Sequence, residues 1–202
     1  AAPLFLTIWI VMMVAMMFPT ALPMILTFSK VYEGKKTDKK SFVPTWVFVS
    51  GYLLIWTLFG VVAYVLALGA QTLMDTMPWF MGNIARIGGI LLILAGLYQL
   101  SPLKQICLTK CQSPLQFILS SWRNGYFGSL RMGIEHGVYC LGCCWLLFIL
   151  LFPLGIMNIG AMALLTLLIF AEKSLFFGQK IARGAAFLFI LYGISAVFYP
   201  QI

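Results

Sequence analysis

The stretch FVPTWVFVSGYLLIWTLFGVVAYVLA, residues 42–67, contains no charged side chain. It exceeds the roughly 20 helical residues that are needed to cross the hydrocarbon core of a bilayer. The whole chain has the same character, since 62% of its 202 residues are hydrophobic and 9% are charged, whereas soluble domains carry about 25% charged residues. The sequence therefore predicts an all-α fold, a polytopic integral membrane helical bundle.

Six apolar runs of this kind predict about six transmembrane helices. Polar or turn-forming connections are expected between them, among them residues 68–81, residues 101–125 and a tight turn at 153–155. We find no charged linker and no internal repeat, so residues 1–202 are interpreted as a single membrane domain. The predicted spans are residues 4–28, 42–67, 82–100, 128–152, 155–178 and 182–199.

The net charge of +8 is explained by membrane orientation. Short loops rich in lysine and arginine stay in the cytoplasm, and alternate connections divide the 13 basic residues very unevenly. One side holds only Arg86, which predicts that the basic loops are cytoplasmic and that both termini lie outside. Lysines near the membrane also contact anionic headgroups, so we expect a lipid bilayer as partner and no nucleic acid. The cytoplasmic set is Lys30, Lys35, Lys36, Lys39, Lys40, Lys104, Lys110, Arg123, Arg131, Lys173, Lys180 and Arg183.

The segment EHGVYCLGCCW, residues 135–145, holds the only histidine and three of the five cysteines. Because helical residues advance by about 100° each, the side chains of His136, Cys140 and Cys143 lie with Met132 on one face of the predicted helix, which we call the stripe. Two glycines, Gly133 and Gly137, lie beside the stripe, and such a spacing lets another helix approach closely. The stripe consists of Met132, His136, Cys140 and Cys143, with Cys144 at its edge.

The helix predicted to pack beside these glycines is the first span. Its segment WIVMMVAMMFPTALPM, residues 9–24, places Met13 and Met17 on one face. Counted from the outer ends of their spans, these thioethers and the thiols of Cys140 and Cys144 share a similar depth. The sequence therefore predicts a buried site between the first and fourth spans.

Thioether, thiolate and imidazole are soft donors that favour Cu(I) over Mg²⁺, Ca²⁺ or Mn²⁺. Zinc is the alternative metal, because Cys140 and Cys143 would form one closely spaced pair and Cys107 and Cys111 another. Packing is the other interpretation, since a buried cysteine behaves as a small hydrophobe. A histidine inside a span is costly, however, and commonly marks a function, so His136 favours metal binding.

Two cysteines precede the fourth span. If the segment after Pro102 is helical, Cys107 and Cys111 face the same way. A pair of thiolates suits Cu(I), and both residues fall on the predicted cytoplasmic side. We therefore predict that they form a point where copper enters or leaves, separate from the buried site.

A ligating histidine commonly donates its second N–H to a carboxylate. Glu172 in the fifth span could supply this carboxylate to His136, and so could Glu135, although Glu135 points about 100° away from the stripe. The alternative is that Glu172 forms an ion pair at the end of its helix. Its predicted partners are then Arg131, Lys173 or Arg183.

Four segments resemble a prokaryotic family of predicted metal-binding integral membrane proteins, a domain of unknown function. The resemblance covers almost the whole chain and implies a metal site in a prokaryotic cell membrane. The segments are AMMFPTALP (15–23), GLYQLSPLKQICLTKCQSP (96–114), SWRNGYFGSLRMGIEHGVYCLGCCW (121–145) and AEK (171–173).

Three classes of function remain open. The protein could bind Cu(I) for copper handling or delivery, with a copper chaperone as partner. It could be an accessory subunit of a larger membrane oxidoreductase, such as a copper-dependent monooxygenase, or a thiol-redox relay without metal. With one histidine and few carboxylates, the chain is not expected to form a hydrolytic triad. We therefore do not expect it to be an enzyme on its own.

Overall fold

The structure is a computed structural model, and it describes residues 2–34, 45–154 and 158–199. Within these ranges the chain forms ten helices and no strand, which confirms the all-α prediction. The helices are α1 (Ala2–Gly34), α2 (Thr45–Thr76), α3 (Pro78–Gly82), α4 (Ile84–Leu100), α5 (Pro102–Gln112), α6 (Pro114–Ser120), α7 (Gly125–Ile149), α8 (Leu151–Leu154), α9 (Ile159–Ser174) and α10 (Gly178–Phe198).

Fewer helices have the length of a membrane span than the six that we predicted. In the described part of the chain, four segments are long and apolar enough, and a fifth is added if α4 and α5 form one span that is bent by 63°. Helix α9 has 16 residues and rises about 24 Å, which is less than the roughly 30 Å of a bilayer core. The four segments are Ala2–Glu33, Thr45–Thr76, Gly125–Leu154 and Gly178–Phe198.

All three of the named connections contain helical residues, since α5 and α6 lie within residues 101–125. Residues 68–81 were predicted to be a loop, but α2 continues to Thr76 and α3 follows at once. The polar residues of this segment are compatible with a helix, and the break comes only before Pro78, which cannot continue the backbone hydrogen bonding of α2. At the predicted turn 153–155, Pro153 and Leu154 belong to α8, and Gly155 lies outside the described residues.

The chain divides into two compact units, residues 1–61 with 106–143 and residues 62–105 with 144–202. The prediction of a single domain stays a prediction. The core of the first unit joins α1, α2, α6 and α7, and the rings of Phe28 and Phe48 stack in it with centroids 4.6 Å apart. Its buried residues are Met24, Phe28, Tyr32, Val47, Phe48, Phe117, Ile118 and Met132.

The glycines of α7 pack against α2, not against α1 as we predicted. A methyl group on Gly133 would collide with the carbonyl oxygen of Phe48, and one on Gly137 would lie 3.0 Å from Cβ of Ile55. The same packing requires a glycine in α2, because a methyl group on Gly51 would lie 2.5 Å from an α7 carbonyl oxygen. The prediction of a close helix partner was therefore correct, and the identity of that helix was wrong.

In the second unit, α4 and α10 pack closely through glycines on both helices. A methyl group on Gly89 would lie 2.8 Å from the carbonyl oxygen of Gly193. One on Gly96 would lie 2.8 Å from the carbonyl oxygen of Ala186. Such close backbone approach is typical of helix pairs that associate through small residues in membranes.

Candidate metal centre

The predicted stripe of α7 faces the protein interior. Because α7 is helical from Gly125 to Ile149, residues three or four apart lie on one face. The exposed fractions are 0% for Met132, 3% for His136, 1% for Cys140, 2% for Cys143 and 1% for Cys144. The first four belong to the first unit, whereas Cys144 belongs to the second.

Three aromatic rings surround the imidazole of His136. Phe48 and Tyr52, one turn apart on α2, both lie within 24° of parallel to the imidazole, with centroids 6.0 and 5.5 Å away. The ring of Phe117 on α6 approaches from another direction, 5.8 Å away and tilted by 59°. His136 is thus held among rings that shield it from water, an environment in which a charged imidazolium is costly.

The thiols of α7 make polar contacts of their own. The sulfur of Cys140 lies 3.3 Å from the hydroxyl oxygen of Tyr52. The thiol of Cys143 donates to the carbonyl oxygen of Cys140 at 3.1 Å. Among the described residues no disulfide joins any of the five cysteines.

Helix α5 brings Cys107 to the same cysteines. Its sulfur packs against α7, since a methyl group on Gly142 would lie 2.9 Å from it. The thiol is also close enough to Cys143 for the two groups to interact electrostatically. Cys111, one turn later, is only half-buried, and the role of the two cysteines as a separate point of copper entry or exit stays a prediction.

Helix α1 contributes methionines to the interior of the first unit. Met13 and Met17 are 1% and 0% exposed. The position of α1 on α2 is fixed by Trp9, whose indole N–H donates to the carbonyl oxygen of Trp56 at 3.2 Å and whose ring covers Gly60. That Met13 or Met17 shares a metal with α7 stays a prediction.

The α7 residues do not form a complete ligand set by themselves. In the part of the chain that is described, no three His, Cys, Asp or Glu side chains lie close enough to hold one metal ion. The reason is helical geometry, because His136 and Cys143 are seven residues apart and about 10 Å apart along the axis. The spacing along α7 thus separates His136 from Cys143, and a complete ligand set stays a prediction.

Glu135 takes part in ion pairs near the surface. Its carboxylate lies 3.3 Å from Arg131, one turn away on α7, and 3.7 Å from Arg123. The Arg131 and Glu135 side chains are 63% and 30% exposed. The arginines thus give this carboxylate cationic partners, and the role predicted for it beside His136 gains no support.

Glu172 has a partner that neither sequence interpretation named. Its carboxylate accepts a hydrogen bond of 2.7 Å from the ammonium group of Lys104 and one of 2.8 Å from the amide of Gln99. Lys104 and Glu172 are 1% and 2% exposed. The structure thus shows an ion pair of Glu172, but it is buried and not at the membrane interface, and the cation that it shows is Lys104 of α5.

Sequence reasoning missed the aromatic rings around His136 and the polar partners of Glu172. Phe48 and Tyr52 were treated as ordinary residues of an apolar span. Their spacing of four residues, with Gly51 between them, is the signal that could have indicated a helix face packed on α7. Lys104 was counted only as a cytoplasmic cation, although it follows the buried Gln99 by five residues.

A protein-family model described as PpoB2, copper chaperone, matches residues 6–196. This match covers nearly all of the 202 residues. The chain belongs to this family. No curated protein and no solved structure matches the chain.

The description of the PpoB2 family agrees with the metal that the side chains suggest. Sulfur and imidazole donors in a buried site favour Cu(I), and the family is described by a role with copper. The resemblance to a metal-binding family that was found in the sequence is thus supported in this coarser form. The nine predicted ligands themselves stay predictions.

Proposed function

We propose that this protein is a membrane-embedded copper chaperone that holds Cu(I) with buried sulfur ligands beside His136 and passes it to an acceptor. The observation that carries the proposal is the first unit, in which thiols of α5 and α7 and thioethers of α1 and α7 all lie in the interior. Carboxylate ligands would favour harder ions such as Mg²⁺ or Ca²⁺, whereas this set of sulfur and imidazole donors is soft and suits Cu(I).

The charge of the cargo gives a second argument for Cu(I). An isolated charge in an apolar interior is very costly. Cu(I) bound by one thiolate and neutral donors is a neutral unit, whereas Zn²⁺ bound in the same way leaves a positive charge. The two acidic residues considered for the site, Glu135 and Glu172, are paired with basic side chains. Copper is therefore the proposed metal.

The exposed surface supports a location in the membrane. Large apolar side chains that a soluble protein would cover are exposed, among them Phe127 at 89%, Phe176 at 99% and Phe187 at 61%. Extensive exposed apolar surface marks a membrane or protein contact. We expect the protein to stay in the membrane fraction after extraction with alkaline carbonate. Its release into the soluble fraction would contradict this part of the proposal.

Metal content tests the site. The full chain is purified in detergent, loaded anaerobically with Cu(I) and desalted, and copper per chain is measured for the parent, His136→Ala and Cys140→Ser. The matched control is Met162→Leu, in α9 of the second unit. We expect the parent and the control to keep copper through desalting and the two site variants to keep less of it, because each lacks one ligand and binds Cu(I) more weakly. Full copper content in both site variants, or none in the parent, would contradict the proposal.

Transfer tests the chaperone role. Copper in a chaperone must leave by ligand exchange, so the loaded protein should release Cu(I) to a soluble Cu(I) chelator within minutes to hours. The same chelator in a separate dialysis chamber is the control, because it removes only copper that dissociates unaided. Faster transfer on direct contact supports a chaperone. Equal rates in both arrangements would show that copper is stored and not handed over.

A further inference from the structure

The side chain of Tyr52 contacts two of the candidate copper ligands at once. It is 1% exposed, and its hydroxyl oxygen lies 3.3 Å from the sulfur of Cys140. Its ring lies 5.5 Å from the imidazole of His136, at an angle of 24°.

The backbone packing explains why Tyr52 reaches these residues. A methyl group on Gly137 would lie 3.4 Å from the carbonyl oxygen of Tyr52, so the backbones of α2 and α7 are nearly in contact there. Gly137 lies between His136 and Cys140 in the sequence. The close approach of the helices thus places the ring of Tyr52 over one ligand and its hydroxyl group at the other.

We propose that Tyr52 is a positioning residue of the copper site, whose hydroxyl group donates a hydrogen bond to the Cys140 thiolate when Cu(I) is bound. This inference rests on the proposed function and extends it to a residue that does not ligate the metal. When Cu(I) binds, the S–H bond of Cys140 is replaced by a Cu–S bond and the proton is released to solvent. The copper-bound sulfur then accepts a hydrogen bond from the phenol O–H, which orients the sulfur and satisfies its remaining acceptor capacity.

Hydrogen bonds to metal ligands have measurable effects. Loss of such a partner typically lowers metal affinity by about 10–100-fold. Tyr52→Phe removes only the hydroxyl oxygen and keeps the ring that stacks on His136. We therefore expect the variant to fold and to bind Cu(I) at least about tenfold more weakly than the parent.

A double-mutant cycle tests whether Tyr52 acts through Cys140. Cu(I) affinity is measured by competition with a soluble chelator for the parent, Tyr52→Phe, Cys140→Ser and the double variant, with Tyr98→Phe in the second unit as control. Non-additivity is expected for residues that act on each other. Tyr52→Phe should weaken binding in the parent and change nothing in the Cys140→Ser background, and Tyr98→Phe should match the parent.

The outcomes separate this inference from the function on which it rests. If the parent binds no Cu(I), the proposed function fails. If the parent binds Cu(I) and Tyr52→Phe binds equally well, only the role of Tyr52 is refuted. An equal loss with and without Cys140 would also refute it. If Tyr52→Phe is too unstable to purify, protection from proteolysis by Cu(I) in isolated membranes gives the same comparison.

Discussion

Loss of one partner of the buried ion pair between Lys104 and Glu172 should strongly destabilise the second unit. Gln99 lies in the last turn of α4 and Lys104 in the first turn of α5, and both contact Glu172 of α9. The carboxylate thus connects the two sides of the 63° bend between α4 and α5. Glu172→Gln removes its charge and leaves the ammonium group of Lys104 buried without a counter-charge.

The size of the expected loss of stability follows from the burial of the two side chains. Removing one partner of a buried salt bridge costs about 3–5 kcal/mol, because the other charge stays desolvated. The two side chains are 1% and 2% exposed, so solvent screening does not reduce this cost. For a chain of this size, a loss of about 1 kcal/mol lowers the melting temperature by about 2–4 °C. We expect Glu172→Gln and Lys104→Met each to lower it by about 6–20 °C.

The assay is thermal unfolding in detergent, followed by tryptophan fluorescence. The matched control is Arg131→Gln, which breaks the ion pair with Glu135 near the surface and should cost at most about 1 kcal/mol. Replacement of both charges removes the uncompensated group, so Lys104→Met with Glu172→Gln should be more stable than either single variant. Equal melting temperatures for Glu172→Gln and Arg131→Gln would refute this reasoning.

Three other predictions concern packing and ligands. Gly133→Ala should lower the free energy of unfolding by about 1–3 kcal/mol, because its methyl group overlaps α2. The control Gly184→Ala in α10, with open space around it, should not destabilise the protein. Equal melting temperatures for the two variants would contradict the packing of α7 on α2. Cys107→Ser should weaken Cu(I) binding, measured by chelator competition, because its sulfur packs against α7 at Gly142. Unchanged affinity would place Cys107 outside the site. Met17→Leu should weaken Cu(I) binding with little change in melting temperature, since leucine fills a similar volume. A lower melting temperature with unchanged Cu(I) affinity would show that Met17 only packs in the core.

The sequence predicted which segments are helical better than it predicted where the helices end or how many of them are long enough to span a membrane. Long apolar runs identified α1, α2, α7 and α10, because such runs are unambiguous. The prediction of a loop at residues 68–81 was wrong, because polar side chains are compatible with a helix and only Pro78 forces a break. The length of α9 was overestimated, since its apolar pattern continues past the point where the backbone hydrogen bonding ends at Ser174.

For the candidate site, the helical periodicity predicted which face of α7 is buried, but it did not predict which helices pack against that face. The buried stripe from Met132 to Cys143 follows directly from 100° per residue. Which helix covers Gly133 and Gly137 is decided by tertiary packing, for which α1 and α2 offered equally apolar faces. The pairing of Lys104 with Glu172 depends on the bend after Leu100, and no local pattern in the sequence predicts its direction.

The most direct test of the account is the X-ray absorption spectrum at the copper edge of the loaded full chain in detergent. The proposed site consists of buried thiols, thioethers and one imidazole, and it contains no carboxylate. We predict a Cu(I) edge with sulfur atoms as the main scatterers of the first shell, and fewer sulfur scatterers in Cys140→Ser. A first shell of oxygen and nitrogen only, or a spectrum that Cys140→Ser leaves unchanged, would contradict the account.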